Sequence, residues 1–124
     1  PLISPMRPLI TLKSVHCLEL DMRIIDTPKP PYYSVTTTAE FHDDLSGYVE
    51  MAASLIEKAK QMEGFLGLET CLRRDCGIAI SYWSSLEAIK RWKNNEAHLE
   101  AKNIAQHKWF KAYITRIAKV ERAY

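Results

Sequence analysis

The stretch FLGLETCLRRDCGIAISYWSSLEAIKRWK, Phe65–Lys93, decides the fold. Its first part reads as two short strands, FLGLETCLRR and GIAISYW, around a turn at Asp75–Gly77. An Asp and a Gly between two β-rich runs are the chemistry of a hairpin. Its second part is helical. Ser84 and, three residues on, Glu87 form a capping box, after which Leu86, Ile89 and Trp92 fall on one face. The helix is expected to continue through His98, Leu99 and Lys102 towards Ala105, with a kink at Asn94–Asn95.

Working outward, YYSVTTTAEF (Tyr32–Phe41) is aromatic and β-branched without a breaker, and predicts a strand. Asp43, Asp44 and Ser46 offer N-caps for the helix that follows. There Tyr48, Met51, Ala52, Leu55, Ala59 and Met62 recur at helical spacing, and Gly64 sits where a left-handed residue would end the element. The prolines of DTPKPPYY exclude a helix before Tyr32. Further upstream, LITLKSVHCLEL (Leu9–Leu20) is a strand candidate, and Pro1–Pro5 ahead of Met6 read as a vector remnant. Met22 offers a second possible start. Downstream, WFKAYITRIAKVERAY (Trp109–Tyr124) is one β-rich run with neither Gly nor Pro. The order is β-α-β-β-α-β, a single ferredoxin-like α+β domain. The last run is far longer than the roughly 5 to 6 residues of an average strand. A second copy of the chain is the simplest partner for the surplus.

The bulk properties fit this reading. The chain has 124 residues, 47% hydrophobic and 26% charged, with a net charge of only +2. That is ordinary for one globular domain, and a domain of this size leaves apolar surface that oligomerisation can cover. Basic residues are interleaved with carboxylates, as in RRD, KNNE and KVER, so nucleic acid is not an expected partner. No apolar run approaches the roughly 20 residues of a membrane span. The N-terminus shows no secretion-signal pattern, and the cytoplasm is the expected compartment. Cys17, Cys71 and Cys76 are too few for a disulfide framework, and no second Cys or His pair supplies zinc spacing. Cys71 and Cys76 are expected to be two free strand thiols.

Four segments carry a resemblance: TPKPPYYSV (Thr27–Val35), GFLGLET (Gly64–Thr70), ISYWSSLEAIKRWKNNEAHL (Ile80–Leu99) and RIAKVERAY (Arg116–Tyr124). They resemble the antibiotic-biosynthesis-monooxygenase-like proteins of the dimeric α+β barrel superfamily, in register from about Ile25 to Tyr124. The resemblance implies a domain over residues 25–124, with residues 1–24 a tag remnant and extension. It further implies a ferredoxin-like protomer whose sheet packs on a partner's, and a cleft between the sheet and its own helices. Relatives include cofactor-independent quinol monooxygenases, haem-degrading monooxygenases and small-ligand isomerases or decarboxylases. Quinol-oxidising relatives carry Asn four residues before the Trp that ends the third strand and Tyr six after it; with Trp83 as that Trp, the places hold Ala79 and Ile89. Haem-degrading relatives use a helix Trp and a His ten residues beyond; Trp92 fits the Trp, but Lys102 takes the His place. Where the nearest branch has Gly-Arg, this chain has Ala105–Gln106.

The candidate site residues follow from position and chemistry. Trp83 and Trp92 suit core packing as well as the wall of a cleft. His98, six residues past Trp92, is the candidate base, since a partly buried imidazole titrates near neutral pH. Lys102, one turn further, can bring positive charge to a ligand. Tyr33, Trp109 and Tyr113 complete the expected lining, and Arg116 is expected at a subunit contact. No Ser/His/Asp or Cys/His arrangement, phosphate loop or carboxylate dyad is recognisable. The reading is therefore a homodimer with a small aromatic or apolar ligand and no metal or organic cofactor. A cofactor-independent monooxygenase on a quinol-like compound is the first function. A non-catalytic ligand-binding dimer and a haem-degrading monooxygenase are the alternatives.

Overall fold

The structure, a computed structural model, describes residues 17–18 and 23–124. Its elements in chain order are β1 (Cys17–Leu18), β2 (Tyr32–Phe41), α1 (Tyr48–Ala59), β3 (Phe65–Arg73), β4 (Cys76–Trp83), α2 (Leu86–Lys93), α3 (Glu96–Lys108) and β5 (Phe110–Val120). The strands form one sheet in the order β1-β3-β4-β2-β5, with every pairing antiparallel. The four long strands are thus β-α-β-β-α-β in sequence and ferredoxin-like in space. β1 is a short addition on the β3 edge, where Cys17 and Leu18 pair with Arg73 and Leu72. The rest of the Leu9–Leu20 strand candidate lies outside the described residues.

Local chemistry moved several boundaries. The helix expected to kink at Asn94–Asn95 is two helices: Asn94 ends α2, and Asn95 starts α3 by accepting hydrogen bonds from the backbone of Ala97 and His98. The cap of α2 is Ser85, not Ser84; its hydroxyl accepts from the Ala88 N–H at 3.0 Å. None of Asp43, Asp44 or Ser46 caps α1. Asp44 turns back on Ser46, and Gly47, at φ 84°, takes the N-cap without a side-chain bond. β5 ends at Val120, so the last four residues extend beyond the sheet. At 11 residues it is still about twice an average strand. Cys71 and Cys76 are free.

Strand alternation assigns the two faces of the sheet. Tyr33, Val35, Thr37, Ala39 and Phe41 face the helices, and the register carries that face across to Ala79, Ser81 and Trp83 in β4. The core gathers at the two ends of this face. One cluster is built on Ala39, Phe41, Val49 and Leu72, the other on Ala59, Trp83, Ala88, Ile89 and Trp92. Between them a cross-strand row of small residues, Thr70, Ala79, Thr37 and Thr115, runs over β3, β4, β2 and β5. Small side chains there cannot fill the space that large ones fill at both ends.

On the opposite face Ile25 packs over Gly67, its N–H donates to the Glu69 carboxylate at 3.2 Å, and the Tyr82 hydroxyl donates to the other oxygen at 2.8 Å. Further along that face Ile78 and Ile114 flank Thr38 and are 44% and 47% exposed.

Gly64 and Gly47 both have positive φ, but their surroundings differ. A Cβ on Gly64 would lie 2.5 Å from the Ala88 Cβ and 2.9 Å from Ser84 Oγ, whereas on Gly47 the nearest atom is a Trp109 ring carbon at 3.5 Å. Gly47→Ala should therefore cost about 1–2 kcal/mol, the left-handed penalty alone. Gly64→Ala should cost clearly more, because α2 must also move off the sheet. Equal losses in urea unfolding would show that the Gly64–Ala88 approach is not a constraint.

Candidate functional site

The gap over the small-residue row opens into a cleft of about 390 Å³ between the sheet and all three helices. Its floor is the row itself together with Val35, Leu68, Ser81 and Ile117 from the next row. α1 contributes its apolar stripe, including Met51, Ala52 and Leu55. α3 contributes His98, Ala101, Lys102 and Ala105, one helical face, of which Ala101 and Ala105 are buried.

The polar end is assembled on Trp92. Its indole stacks on Trp83 with ring centres 6.1 Å apart, and the His98 ring stacks on Trp92 at 4.7 Å with only 11° between the planes. His98 Nδ1 lies 3.1 Å from the Trp92 carbonyl oxygen. A carbonyl only accepts, so Nδ1 carries the proton, and in the neutral ring Nε2 keeps its lone pair. Burial holds the His98 pKa below that of a free imidazole, and the Lys102 charge lowers it further; the bond to Trp92 opposes both. The helix break makes this geometry possible, because Asn95 caps α3 three residues before His98 and folds the imidazole back over Trp92.

Other polar groups in the cleft are sparse. Thr37 and Thr115 share a hydrogen bond between hydroxyls at 3.0 Å. Among the described residues the Trp92 indole N–H and the Thr70 hydroxyl have no side-chain partner, although Trp92 and Thr70 are each only 9% exposed. Both are donors available to a ligand. At the other end Tyr48 packs edge-on against Trp109, and burial pushes its phenol up to about 12, so it stays protonated. Trp109 is pinned by its own indole N–H, which donates to the Ser46 carbonyl at 2.9 Å. Among the described residues no Asp or Glu lines the cleft, and Lys93 and Lys102 are its cationic groups. Among the described residues no three His, Cys, Asp or Glu side chains gather as a metal ion would need.

Of the residues singled out from sequence, Trp83, Trp92, His98, Lys102 and Trp109 line one cleft. Tyr33 and Tyr113 do not. Both point to the helix side, but Tyr33 packs into the Trp83 cluster and Tyr113 into the Phe41 cluster, at the filled ends. Arg116 is exposed on the opposite face. Ala79 and Ile89, which replace the Asn and Tyr of quinol-oxidising relatives, do line the cleft, so those two positions are apolar here. Sequence reading passed over Lys93 and Tyr48. The first is the residue after Trp92 at the end of α2, and the second opens the apolar stripe of α1.

The model of the antibiotic biosynthesis monooxygenase family matches residues 36–103, which hold the small-residue positions of β2, β3 and β4 and the Trp92–His98 pair. The chain is similar to the uncharacterised protein YqjZ of Bacillus subtilis (strain 168), 38% identical over 97 residues, or 77% of this chain and 85% of that one. Among solved structures it is similar to SnoaB, a cofactor-independent oxygenase from Streptomyces nogalater. The TM-score is 0.66 at 10% identity, over 76% of this chain and 97% of that chain. Rv0793 from Mycobacterium tuberculosis also gives a TM-score of 0.66 at 10% identity, over 75% and 99% of the two chains. At these identities the structures speak for the fold.

The lowered His98 pKa predicts a pH dependence of stability. A protonated His98 is better accommodated in the unfolded chain, so its contribution is present above the ordinary 6.5 and is lost as pH falls through the lower folded value. Unfolding free energy should therefore decline in that window, and His98→Gln should flatten the decline. A ring titration at or above 6.5, followed by NMR, would contradict the buried, stacked imidazole.

Proposed function

The chain belongs to the antibiotic biosynthesis monooxygenase family, and from that premise we propose that it is a cofactor-independent monooxygenase acting on a small aromatic, quinol-like compound. The observation that carries this reading is His98: a neutral imidazole with Nδ1–H tied to the Trp92 carbonyl and Nε2 unpaired among the described residues, beside an apolar cleft. That is the form a general base needs near neutral pH. SnoaB supports the chemistry as a cofactor-independent oxygenase of the same fold.

In this reading His98 Nε2 takes a proton from a hydroxyl of the substrate. The aryl oxide passes one electron to O₂, and the resulting radical pair combines at a ring carbon to give a hydroperoxide once a proton is taken up. Loss of water then leaves a carbonyl. Overall the substrate gains one oxygen atom and loses two hydrogens, and the second oxygen atom leaves as water. The protein's part is to desolvate the anion, hold it in the apolar cleft beside His98 and move the proton. With apolar Ala79 and Ile89 in the places of Asn and Tyr, the proton transfer falls to His98.

The protomer also presents what a homodimer would cover. Ile78 and Ile114 stand exposed on the outer sheet face, and most of β5 is exposed. We therefore propose association through that face, as the family's fold allows. Light scattering at micromolar concentration should give a mass near twice the 14.3 kDa of the chain. A mass of one chain would overturn the dimer.

With a dihydroxynaphthalene as probe, O₂ uptake should fall by about 10² or more in His98→Gln. In the wild type it should decline as pH drops through the lowered His98 pKa. Uptake within twofold of wild type in the variant would remove His98 as the base. Saturable binding of the probe without any uptake would instead favour a ligand-binding module.

A further inference from the structure

We propose that Lys93 and Lys102 act as a cationic pair that selects aromatic ligands carrying a carboxylate. The inference rests on the reading of the cleft as an aromatic-ligand site, and it names what else such a ligand should carry. Lys93 is the last residue of α2 and Lys102 lies in the second turn of α3, so the Asn94–Asn95 break brings two helices to one cleft with a lysine from each.

Among the described residues the lining contains no Asp or Glu. On α3 the residues three and four places from Lys102 are His98, Leu99, Ala105 and Gln106, none an acid, so no ion pair of helical spacing is available. On α2 the corresponding residues before Lys93 are Ile89 and Lys90. Among the described residues neither lysine has an ion-pair partner, whereas Lys60 reaches Glu57 at 2.9 Å and Arg91 reaches Glu63 at 3.8 Å. Two uncompensated ammonium groups beside low-dielectric walls of Trp83 and Trp92 project a positive field into the cleft. His98, held neutral, adds no charge of its own, so the lysines set the electrostatic preference. A carboxylate on an aromatic frame fits that field while its ring lies in the apolar cleft between the sheet and the helices.

The test compares 2-naphthoate with 2-naphthamide, matched in shape and differing in charge. Neither carries a hydroxyl to oxidise, so the outcome does not depend on whether the protein turns anything over. Binding is read from quenching of tryptophan fluorescence, since Trp83 and Trp92 wall the cleft. The naphthoate should bind at least about fivefold tighter at low salt, with the ratio shrinking as salt screens the pair. In the double variant Lys93→Gln/Lys102→Gln the ratio should fall to near one while naphthamide binding changes less than about twofold, as screening and charge removal act on the anion alone. Equal binding of the two probes, a ratio that survives the double variant, or failure of both to bind would overturn the proposal. Loss of O₂ uptake chemistry with the charge preference intact would overturn only the monooxygenase reading.

Discussion

Trp83 has no exposed surface, and the packing around it sets where the sheet ends and where the helices begin. It is the last residue of β4, with Tyr33 and Phe65 as its cross-strand partners, and Phe65 meets its ring edge-on at 5.2 Å. The indole N–H is satisfied within the same strand by Ser81 Oγ at 2.8 Å, so the ring is buried without an unmet donor. Two residues later Ser85 caps α2, and the chain is turned so that Ala88 and Ile89 cover the ring while Trp92 stacks on it. Such a cluster allows little adjustment. Gly64 passes so close to Ala88 that a methyl group would not fit. The position of His98 is therefore inherited: sheet to Trp83, Trp83 to Trp92, Trp92 to imidazole.

The cleft exists because the sheet leaves it unfilled. Thr70, Ala79, Thr37 and Thr115 share one row, and larger side chains stand beyond it, Phe65, Trp83 and Tyr33 at one end and Leu72, Phe41 and Tyr113 at the other. A Leu or Ile in that row would extend the core, with a gain of roughly 1.5–3 kcal/mol for a fully buried side chain. The sequence has instead placed hydroxyls and a methyl there. α3 repeats the pattern from above, with Ala101 and Ala105 where larger residues would close the space. Core completeness is surrendered along one line through the protein, with the imidazole and two ammonium groups at its α2–α3 side.

Much of this was legible in the residues. Element order followed from hydrophobic period and from the Asp75–Gly77 and proline signals, and the family resemblance agreed with it. Helix ends were less legible, since Ser84 and Ser85 are both good caps and it is the Ser85 hydroxyl that accepts from the Ala88 N–H. Asn94–Asn95 was recognised as a disturbance, but whether it bends or breaks the helix depends on the side chain of Asn95 capping the next one. In the site, one-turn spacing relates His98 to Lys102 on α3, whereas Trp92 meets His98 only across the Asn94–Asn95 break. Tyr33 and Tyr113 lie outside the cleft lining because strand period gives the face of a residue but not its distance along it, and both lie at the packed ends. Lys93 was passed over because its neighbours on the helix surface are basic and solvent-facing; only the turn into α3 brings it to the cleft.

The cleft and the exposed edge of the protein are the same physical problem. β5 supplies Thr115 and Ile117 to the floor, yet Ile117 is 51% exposed, and Ile114 on its other face is 47% exposed. A strand paired on one side only, and packed mainly at its Phe110–Tyr113 end, is the part of a sheet most able to fray. Under the proposed chemistry, an aryl oxide reacts with O₂ rather than being reprotonated when the floor under it stays in register and dry. Packing of the outer face in the proposed dimer would fix Ile114 from below, and because Ile114 and Thr115 are consecutive on one strand, it would also hold the Thr37–Thr115 hydrogen bond that closes the floor. Association would then act on the site without lending it a single side chain, by restraining an edge strand whose outer face the protomer leaves exposed.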